Sequence, residues 1–312
     1  MNRIFLFIFL LYTSGPVWAS SLDTDLIEAA KNGDLQSVQT LIEAGANVNA
    51  VNEEQRTALM RAAFRGHSQV VQILIENGAD VHLLDNLKHT TLTWAVRQRK
   101  LEVINLLITA EAQVDVRDSE GNTPVVTVAA KAGWTELTKR LIDAGANINL
   151  RDKDGYTPLI WASFKGHKQV VALLIATGAD VNMQNASGKS ALTWSAQRGH
   201  EKIVKKLLNA GAKPNTRNKH GYTPLMDAAD GGNRAVIDAL IKKGAEINAQ
   251  NRYGHSALMR ASDKGHIEAV QHLLQVGANP TLKDNRGRTA LSRAEAKKHV
   301  EIIRLLKNAG AK

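Results

Sequence analysis

The sequence contains no cysteine among its 312 residues. This absence excludes a disulfide framework, thiol nucleophiles and cysteine metal ligands. Low-complexity runs are also missing, and no change in composition marks a linker or a second domain. A chain without these supports must be stabilised by packing between neighbouring segments, and this one is long enough to bury a large core in that way.

Long apolar runs are absent except at the N-terminus. Arg3 precedes the apolar run Ile4–Tyr12, and Val17 and Ala19 place small residues at the two positions that specify cleavage. This pattern predicts a secretory signal peptide, residues 1–19, because the run is too short to span a bilayer comfortably. A buried N-terminal helix is the alternative. We therefore expect a mature protein that is periplasmic or secreted and has no membrane span.

Recognisable catalytic arrangements are missing as well. The sequence shows no nucleophile–base motif, no glycine-rich phosphate loop and no spaced pair of acids. Asp227 and Asp230 lie three residues apart on one predicted helix, but an ion pair with Arg260 explains them better than acid–base catalysis does. The sequence therefore predicts a protein that is not an enzyme and needs no cofactor.

Histidine recurs at one place of a repeating pattern, immediately after a predicted turn between helices. The five residues at this place are His67, His167, His200, His266 and His299. Neighbouring copies should lie about one helix-packing distance apart, roughly 8–10 Å. That separation is too large for two of them to share a metal ion at about 2.0–2.1 Å. We predict that these histidines are structural and that the chain has no metal site.

The sequence repeats itself with a fixed period. Successive members of one glycine series lie 33 residues apart wherever the series is unbroken: Gly45, Gly78, Gly145, Gly178, Gly211, Gly244, Gly277 and Gly310. Between Gly78 and Gly145 the separation is 67, with Glu111 at the intermediate place and one residue added after it. A period of this size is typical of a solenoid.

Each repeat predicts two short helices. Thr157 can cap the first helix through its hydroxyl, and Pro158 suits the first helical position. Gly166 permits a positive φ between the helices, and Gly178 permits the left-handed geometry that ends the second one. Apolar residues at helical spacing within Val170–Ile175 supply the buried side of the second helix.

The segments TPLIWA, GH and ATGADVN resemble the ankyrin repeat pattern T-P-L-H-x-A, G-H and G-A-D-V-N. The resemblance covers nine repeats in register, from about Leu22 to the C-terminus. It implies an all-α ankyrin-repeat solenoid of paired antiparallel helices with β-hairpin-like loops, normally a protein-binding surface. The family's histidine after the leucine is missing here, and its place is taken by Met60, Thr93, Ile160, Thr193, Met226, Met259 and Ser292.

We expect residues 20–312 to form one ankyrin repeat domain whose first and last repeats act as caps. The third repeat departs most from the pattern, with Lys88, Arg99-Lys100 and Glu111 at its usual glycine and Gly-His places. The fourth repeat, Asn122–Asn147, carries the additional residue, which must bulge a helix or lengthen a turn. Either outcome predicts an interruption between the third and fifth repeats.

The residue two places after the repeated apolar residue of each first helix is the candidate binding position. We call it the tryptophan position, and in ankyrin-like stacks it lies towards the concave face. Its occupants outside the fourth repeat are Arg61, Trp94, Trp161, Trp194, Asp227, Arg260 and Arg293. Neighbouring places add Phe64, Arg65, Arg97, Phe164, Lys165 and Arg198. Tryptophan and arginine are enriched at interface hot spots, but packing between adjacent helices is an equally good explanation of the tryptophans.

The net charge is +10, or +9 without Arg3. Such an excess favours anionic partners and accelerates association with them. Nucleic acid is disfavoured because no nucleic-acid motif is present and the chain is expected to be exported. The leading hypothesis is an exported scaffold, monomeric alone, that binds an acidic protein, for example as an inhibitor or immunity-like protein covering an envelope or secreted enzyme. The alternative is a protein that binds an envelope polyanion or lipid head groups.

Overall fold

A computed structural model of the protein describes residues 21–119 and 125–311. The predicted signal peptide, residues 1–19, lies outside the described residues. Within the described ranges the regular elements are all helices, so the predicted all-α class is confirmed. The chain divides into two compact units between Ala112 and Gln113, and each unit consists of consecutive helix pairs.

The described part of the first unit, residues 21–112, contains three helix pairs. They are α1 (Ser21–Asn32), α2 (Leu35–Glu43), α3 (Ala58–Arg65), α4 (Ser68–Glu76), α5 (Thr91–Arg97) and α6 (Leu101–Thr109). The first helices of successive pairs pack side by side in the order α1, α3 and α5, and the second helices α2, α4 and α6 form a parallel layer behind them. Each helix pair therefore buries its apolar side against the next pair.

The second unit, where the structure describes it, contains six further pairs with the same arrangement. They are α7 (Val125–Ala132), α8 (Thr135–Asp143), α9 (Pro158–Lys165), α10 (Lys168–Ala176), α11 (Ala191–Gln197), α12 (Glu201–Asn209), α13 (Pro224–Asp230), α14 (Arg234–Lys242), α15 (Ala257–Lys264), α16 (Ile267–Gln275), α17 (Ala290–Ala296) and α18 (Val300–Asn308). A hydrophobic core of leucine, isoleucine, valine, methionine and alanine runs through it without a break from Ala130 to Ala311.

The helix ends follow the predicted local chemistry. The Thr157 hydroxyl accepts a hydrogen bond from the Ile160 amide at 3.2 Å, and Pro158 begins α9. Gly166 ends α9 with a φ of 83°, and Gly178 has a φ of 92° after α10. A side chain at either glycine would be strained there, so these residues set the angles at which one helix leads into the next.

The loops between pairs are held in a row by main-chain hydrogen bonds. The amide of Ala186 donates to the Asp154 carbonyl oxygen at 2.9 Å, and the amide of Lys219 donates to the Ser187 carbonyl oxygen at 3.1 Å. The described ranges contain no β-strand, but isolated bridges join Val51 to Thr57 and Gln184 to Ser190. The predicted hairpin-like loops are therefore ordered by contacts between successive tips rather than by a sheet.

The additional residue of the fourth repeat does not bulge a helix. Helix α7 has eight residues and ends before Gly133, just as α9 has eight residues and ends before Gly166. Counting back from Gly133 places Val128 at the tryptophan position of this repeat. The added residue therefore precedes α7, in a segment that includes residues 120–124, which lie outside the described residues.

Backbone strain is concentrated in the third repeat. In residues 21–119 and 125–311, five residues other than glycine have a positive φ: Gln55, Lys88, Arg99, Glu111 and Lys298. Three of them belong to the third repeat. Each stands where most other repeats have a glycine, and for Arg99 this is the glycine of the Gly-His pair. A left-handed residue with a β-carbon costs about 1–2 kcal/mol, so this repeat is stabilised less by its own backbone than its neighbours are.

Restoring glycine at two of these places should stabilise the protein. The double change Lys88→Gly and Glu111→Gly removes strain at φ values of 58° and 57°. It also adds flexibility to the unfolded chain, which opposes the gain by about 0.4–1 kcal/mol per residue. We expect the free energy of unfolding to rise by about 1 kcal/mol in urea titrations. Gln98→Gly, at a φ of −93°, is the control and should be destabilising; equal effects of both would contradict the assignment of strain.

Candidate functional site

Four aromatic rings form the centre of the site in the second unit. We call Tyr156, Trp161, Phe164 and Trp194 the tryptophan cluster. The Trp161 ring stacks on Tyr156, with centroids 4.4 Å apart and planes at 23°. Phe164 meets the Trp194 ring edge-on at 4.7 Å and 77°. All four side chains are half-buried. The α9 and α11 helices thus bring two successive tryptophan positions together, as the 33-residue period predicts.

Cations cover these rings. The Lys131 ammonium lies 4.1 Å from the centre of the Trp161 ring, and that of Lys189 lies 4.3 Å from Trp194. Around Phe164, the Arg198 guanidinium lies at 4.5 Å and the Lys165 ammonium at 5.4 Å. Such cation–π contacts contribute about 0.5–1 kcal/mol each where solvent reaches them. The site therefore presents apolar rings and positive charge on the same surface.

Loop residues anchor the indole rings. The indole N–H of Trp161 donates to Asp152 Oδ2 at 2.7 Å. The other carboxylate oxygen of Asp152 accepts from the amide of Tyr156 at 2.8 Å. In the next repeat Asn185 replaces the aspartate, and the buried Nε1 of Trp194 has no acceptor. Sequence reasoning missed these loop partners, although a fixed spacing of nine residues between the acid and the tryptophan could have revealed them.

A related but smaller site lies in the first unit. The Trp94 ring contacts Phe64 edge-on at 5.4 Å, and its N–H donates to Asp85 Oδ2 at 3.1 Å. The remaining predicted residues surround it. A pocket of about 60 Å³ is lined by Arg56, Met60, Arg61, Phe64 and Trp94. Arg65 lies 5.9 Å from the Phe64 ring, and Arg97 is exposed near the end of α5. This unit therefore repeats the combination of aromatic rings and arginines.

The tryptophan position changes character in the last two repeats. Arg260 forms an ion pair with Asp230, and its guanidinium lies 5.7 Å from the Tyr222 ring. Arg293 is buried, with only 7% of its surface exposed, and forms an ion pair with Asp284. The sequence placed both arginines on the binding surface. Arg293 is instead committed to an internal contact, because its long side chain reaches the buried acid of its own loop.

Asp284 is held ionised by its surroundings. Burial alone would raise its pKa, but hydrogen bonds from the amides of Arg288 and Arg286 and from the Arg293 guanidinium outweigh burial. They hold the pKa of this carboxyl group well below its usual range. Asp284 also accepts from Arg288 Nε at 2.9 Å. The carboxylate is thus the centre of a charged network that joins the last loop to α17.

Asp227, in contrast, is buried without adequate partners. We predicted an ion pair between this acidic pair and Arg260, and the structure assigns that arginine to Asp230 alone. Asp227 Oδ1 lies 3.8 Å from the Lys189 ammonium, and Oδ2 has no hydrogen-bond partner. Burial raises the pKa of Asp227 to about 6, although Lys189 lowers it. The ionised form of Asp227 is therefore destabilised in the folded protein.

Replacing Asp227 by asparagine should stabilise the protein in a pH-dependent manner. The folded-state pKa of about 6 exceeds the ordinary aspartate pKa of 3.8. The contribution of Asp227 to the free energy of unfolding is therefore fully present below about pH 4 and is lost as the pH rises through 6. At pH 7 we expect Asp227→Asn to raise the free energy of unfolding by about 2 kcal/mol.

Urea titrations at pH 4.5 and pH 7 measure this effect, which should shrink markedly at the lower pH. Asp230→Asn is the matched control, since Asp230 lies on the same helix but is paired with Arg260. That change should be destabilising at pH 7. A stabilisation by Asp227→Asn of equal size at both pH values would contradict the proposed titration.

Four of the five recurrent histidines hydrogen-bond to the backbone of the preceding repeat. The ring Nε2 of His67 donates to the Lys31 carbonyl oxygen at 3.0 Å, and that of His167 donates to Lys131 at 3.0 Å. His266 and His299 bond in the same way to the carbonyl oxygens of Asp230 and Asp263, at 2.8 and 3.4 Å. These hydrogen bonds tie the second, fifth, eighth and ninth helix pairs to the pairs before them, whereas His200 forms no such bond within the described ranges. Within the described ranges, no group of three or more histidines and acids is placed to hold a metal ion.

No helix in residues 21–119 or 125–311 combines the length and apolar character needed to cross a membrane.

No curated protein matches the sequence. The family model for ankyrin repeats (3 copies) matches residues 26–118, 106–185, 173–251 and 247–312. These overlapping matches cover the whole chain after its first 25 residues, and the helix pairs and the row of loops have the form that this family implies. The chain belongs to the ankyrin repeat family.

Proposed function

We propose that this protein is an exported scaffold that binds an acidic protein partner through the tryptophan cluster and its cations. Ankyrin repeat proteins typically act as scaffolds for protein–protein interaction and are typically not catalytic. The observation that carries the proposal is the combination of four half-buried rings with four flanking cations. Aromatic and arginine side chains are the groups most enriched at the energetic centre of protein interfaces.

The anchoring of the rings is compatible with binding and favours it. Trp161 is fixed by its hydrogen bond to Asp152 and by stacking on Tyr156, yet its ring remains half-buried. A side chain that is already ordered loses little conformational entropy when a partner covers it. The tryptophan cluster therefore serves as helix packing and as a preorganised contact surface at once.

The charges around the cluster indicate the character of the partner. Lys165 and Arg198 are exposed at its edge, where they would attract acidic groups and accelerate encounter. The excess of positive charge over the whole chain acts in the same direction. In its most concrete form, the proposal is an inhibitor or immunity-like protein that covers an acidic enzyme of the envelope or the secreted fraction. Export rests on the signal peptide predicted from residues 1–19.

The partner should be sought by affinity capture from envelope and secreted fractions, using wild-type protein and the variant Trp161→Ala with Trp194→Ala side by side. A specific partner is retained by the wild type and by the variant Lys202→Gln with Lys206→Gln, which alters exposed cations of α12, but not by the tryptophan variant. Capture that depends on the α12 lysines and not on the tryptophans would refute the assignment. Capture of only anionic polymers, lost steeply with salt, would favour the polyanion alternative.

A further inference from the structure

Positive charge is concentrated on three consecutive loops of the second unit. Residues 213–223, 246–256 and 279–289 contain seven basic residues, namely Lys213, Arg217, Lys219, Arg252, Lys283, Arg286 and Arg288. The same three segments contain two acids, Glu246 and Asp284. The corresponding segments of the two preceding repeats, 147–157 and 180–190, have equal numbers of acids and bases. The excess therefore belongs to one end of the second unit and not to the loops in general.

Both acids are already engaged. Glu246 lies 3.6 Å from Arg217, and Asp284 pairs with Arg288 and Arg293. Five exposed cations of these loops remain without an ion pair among the described residues: Lys213 at the start of the first loop, and Lys219, Arg252, Lys283 and Arg286 further along the loops. The loops thus carry more positive charge than the folded chain itself neutralises. An external anionic group would meet little competition from internal carboxylates at these five side chains.

The loops hold their charges in fixed positions. The amide of Arg252 donates to the His220 carbonyl oxygen at 3.1 Å, and that of Asn285 donates to the Tyr253 carbonyl oxygen at 3.1 Å. The Tyr253 ring stacks over His220, with centroids 6.2 Å apart and planes at 26°, and 47% of the tyrosine is exposed. The tips therefore form a row that is ordered before any partner arrives.

Depressions in the same loops provide room for a ligand. One of about 280 Å³ is lined by Tyr253, His255, Asp284, Asn285, Arg286 and Arg288. A more open one of about 590 Å³ includes Arg217 and Lys219 in its lining. Arginine offers a planar fork of donors that matches a carboxylate in two hydrogen bonds. The loops thus combine recess, aromatic surface and carboxylate-binding groups.

We propose that the hairpin row, defined as residues 217–221, 250–254 and 283–288, binds an acidic segment of a protein in extended conformation. This inference rests on the proposed function of the chain as a protein-binding scaffold, and it adds a contact surface separate from the tryptophan cluster. Successive repeats lie roughly 8–10 Å apart, and an extended peptide rises about 3.3 Å per residue. A carboxylate at every third residue therefore matches one hairpin after another.

The spacing favours a peptide over a polyanion. The row offers one or two free cations per hairpin, whereas a nucleic-acid strand carries one phosphate per roughly 3.4 Å along a duplex axis. Most phosphates of such a strand would find no partner on the row. A peptide with spaced acids would satisfy its carboxylates and place neutral residues against Tyr253 and the asparagines of the tips.

The test uses a fluorescent 12-residue peptide with glutamate at every third position and serine or glycine between, and the same peptide with glutamine for glutamate. Anisotropy at low salt should show binding of the glutamate peptide to the purified protein and little binding of the glutamine peptide. The variant Arg252→Gln with Arg286→Gln should weaken binding at least fivefold. Neither side chain has an ion pair to lose, and a thermal unfolding curve confirms that this variant folds.

Two further variants make the result decisive. Lys202→Gln with Lys206→Gln removes the same charge from α12 and should weaken peptide binding less than twofold. Trp161→Ala with Trp194→Ala should leave peptide binding unchanged, so a failure of the tryptophan cluster as a partner site would not affect this assay. The proposal is overturned if the glutamate peptide does not bind, if both charge variants lose affinity equally, or if only a single-stranded oligonucleotide binds at the hairpin row.

Discussion

Replacing Trp161 and Trp194 together by alanine is expected to speed dissociation of the protein partner at least thirtyfold. Truncation of a central, desolvated tryptophan at an interface typically costs about 2 kcal/mol or more, which corresponds to a factor of about thirty. The two rings are joined through Phe164 and Tyr156, so their effects should not add independently. Surface plasmon resonance with the captured partner measures the dissociation rate directly.

The edge of the cluster should behave differently from its centre. Lys165→Glu with Arg198→Glu reverses two exposed charges that lie over the Phe164 ring. We expect mainly a slower association and a stronger dependence on salt, because rim charges steer encounter more than they hold the complex. If the charge reversal changes only dissociation and the tryptophan variant changes only association, the assignment of centre and edge is wrong.

Folding must be checked before the tryptophan result is interpreted. Trp161 donates a hydrogen bond to Asp152, so its loss removes packing and leaves a carboxylate oxygen without that donor. Trp161→Phe with Trp194→Phe retains aromatic rings at both places. A folded phenylalanine variant that binds as tightly as the wild type, beside a folded alanine variant that does not, attributes the loss to the aromatic surface. Normal binding by a folded alanine variant would contradict the proposed site.

Replacing Asp284 by asparagine is expected to lower the free energy of unfolding by about 3 kcal/mol or more. The change removes the closer carboxylate of the buried Arg293 guanidinium and leaves only Asp263, at 4.0 Å. Breaking a buried ion pair from one side typically costs about 3–5 kcal/mol. The amide oxygen of asparagine can still accept from the amides of Arg286 and Arg288. Asn251 shows this in the preceding repeat, where it accepts from the amides of Tyr253 and His255 at 2.9 Å.

A second substitution separates the ion pair from the loop. Adding Arg293→Met to Asp284→Asn removes the unpaired charge, and we expect most of the lost stability to return, because apolar replacement of a buried ion pair is often neutral or better. The lowered pKa of Asp284 also predicts that the wild-type advantage is present at neutral pH and is lost as pH falls below about 4. Urea titrations of the single and double variants would contradict this account if arginine removal destabilised the protein further.

The sequence by itself determined the architecture of the repeats. The 33-residue period, the capping Thr157 and the glycine after every second helix except that of the third repeat fix helix starts, helix ends and the order of packing through local interactions. Such interactions depend on residues only a few positions apart, so their pattern can be read along the chain. The structural place of His67 and His167 followed from the same recurrence, since each copy meets the same neighbouring backbone.

Only the tertiary structure decided which side chains at the tryptophan position are accessible to solvent and which are engaged in contacts within the protein. Trp161 and Trp194 remain half-buried under cations, whereas Arg293 is buried on Asp284 and Arg260 is taken by Asp230. These outcomes depend on whether a loop residue nine places earlier is aspartate or asparagine, and on the reach of each side chain to the next repeat. Burial of a charge is set by partners that are distant in sequence, and the period alone does not specify them.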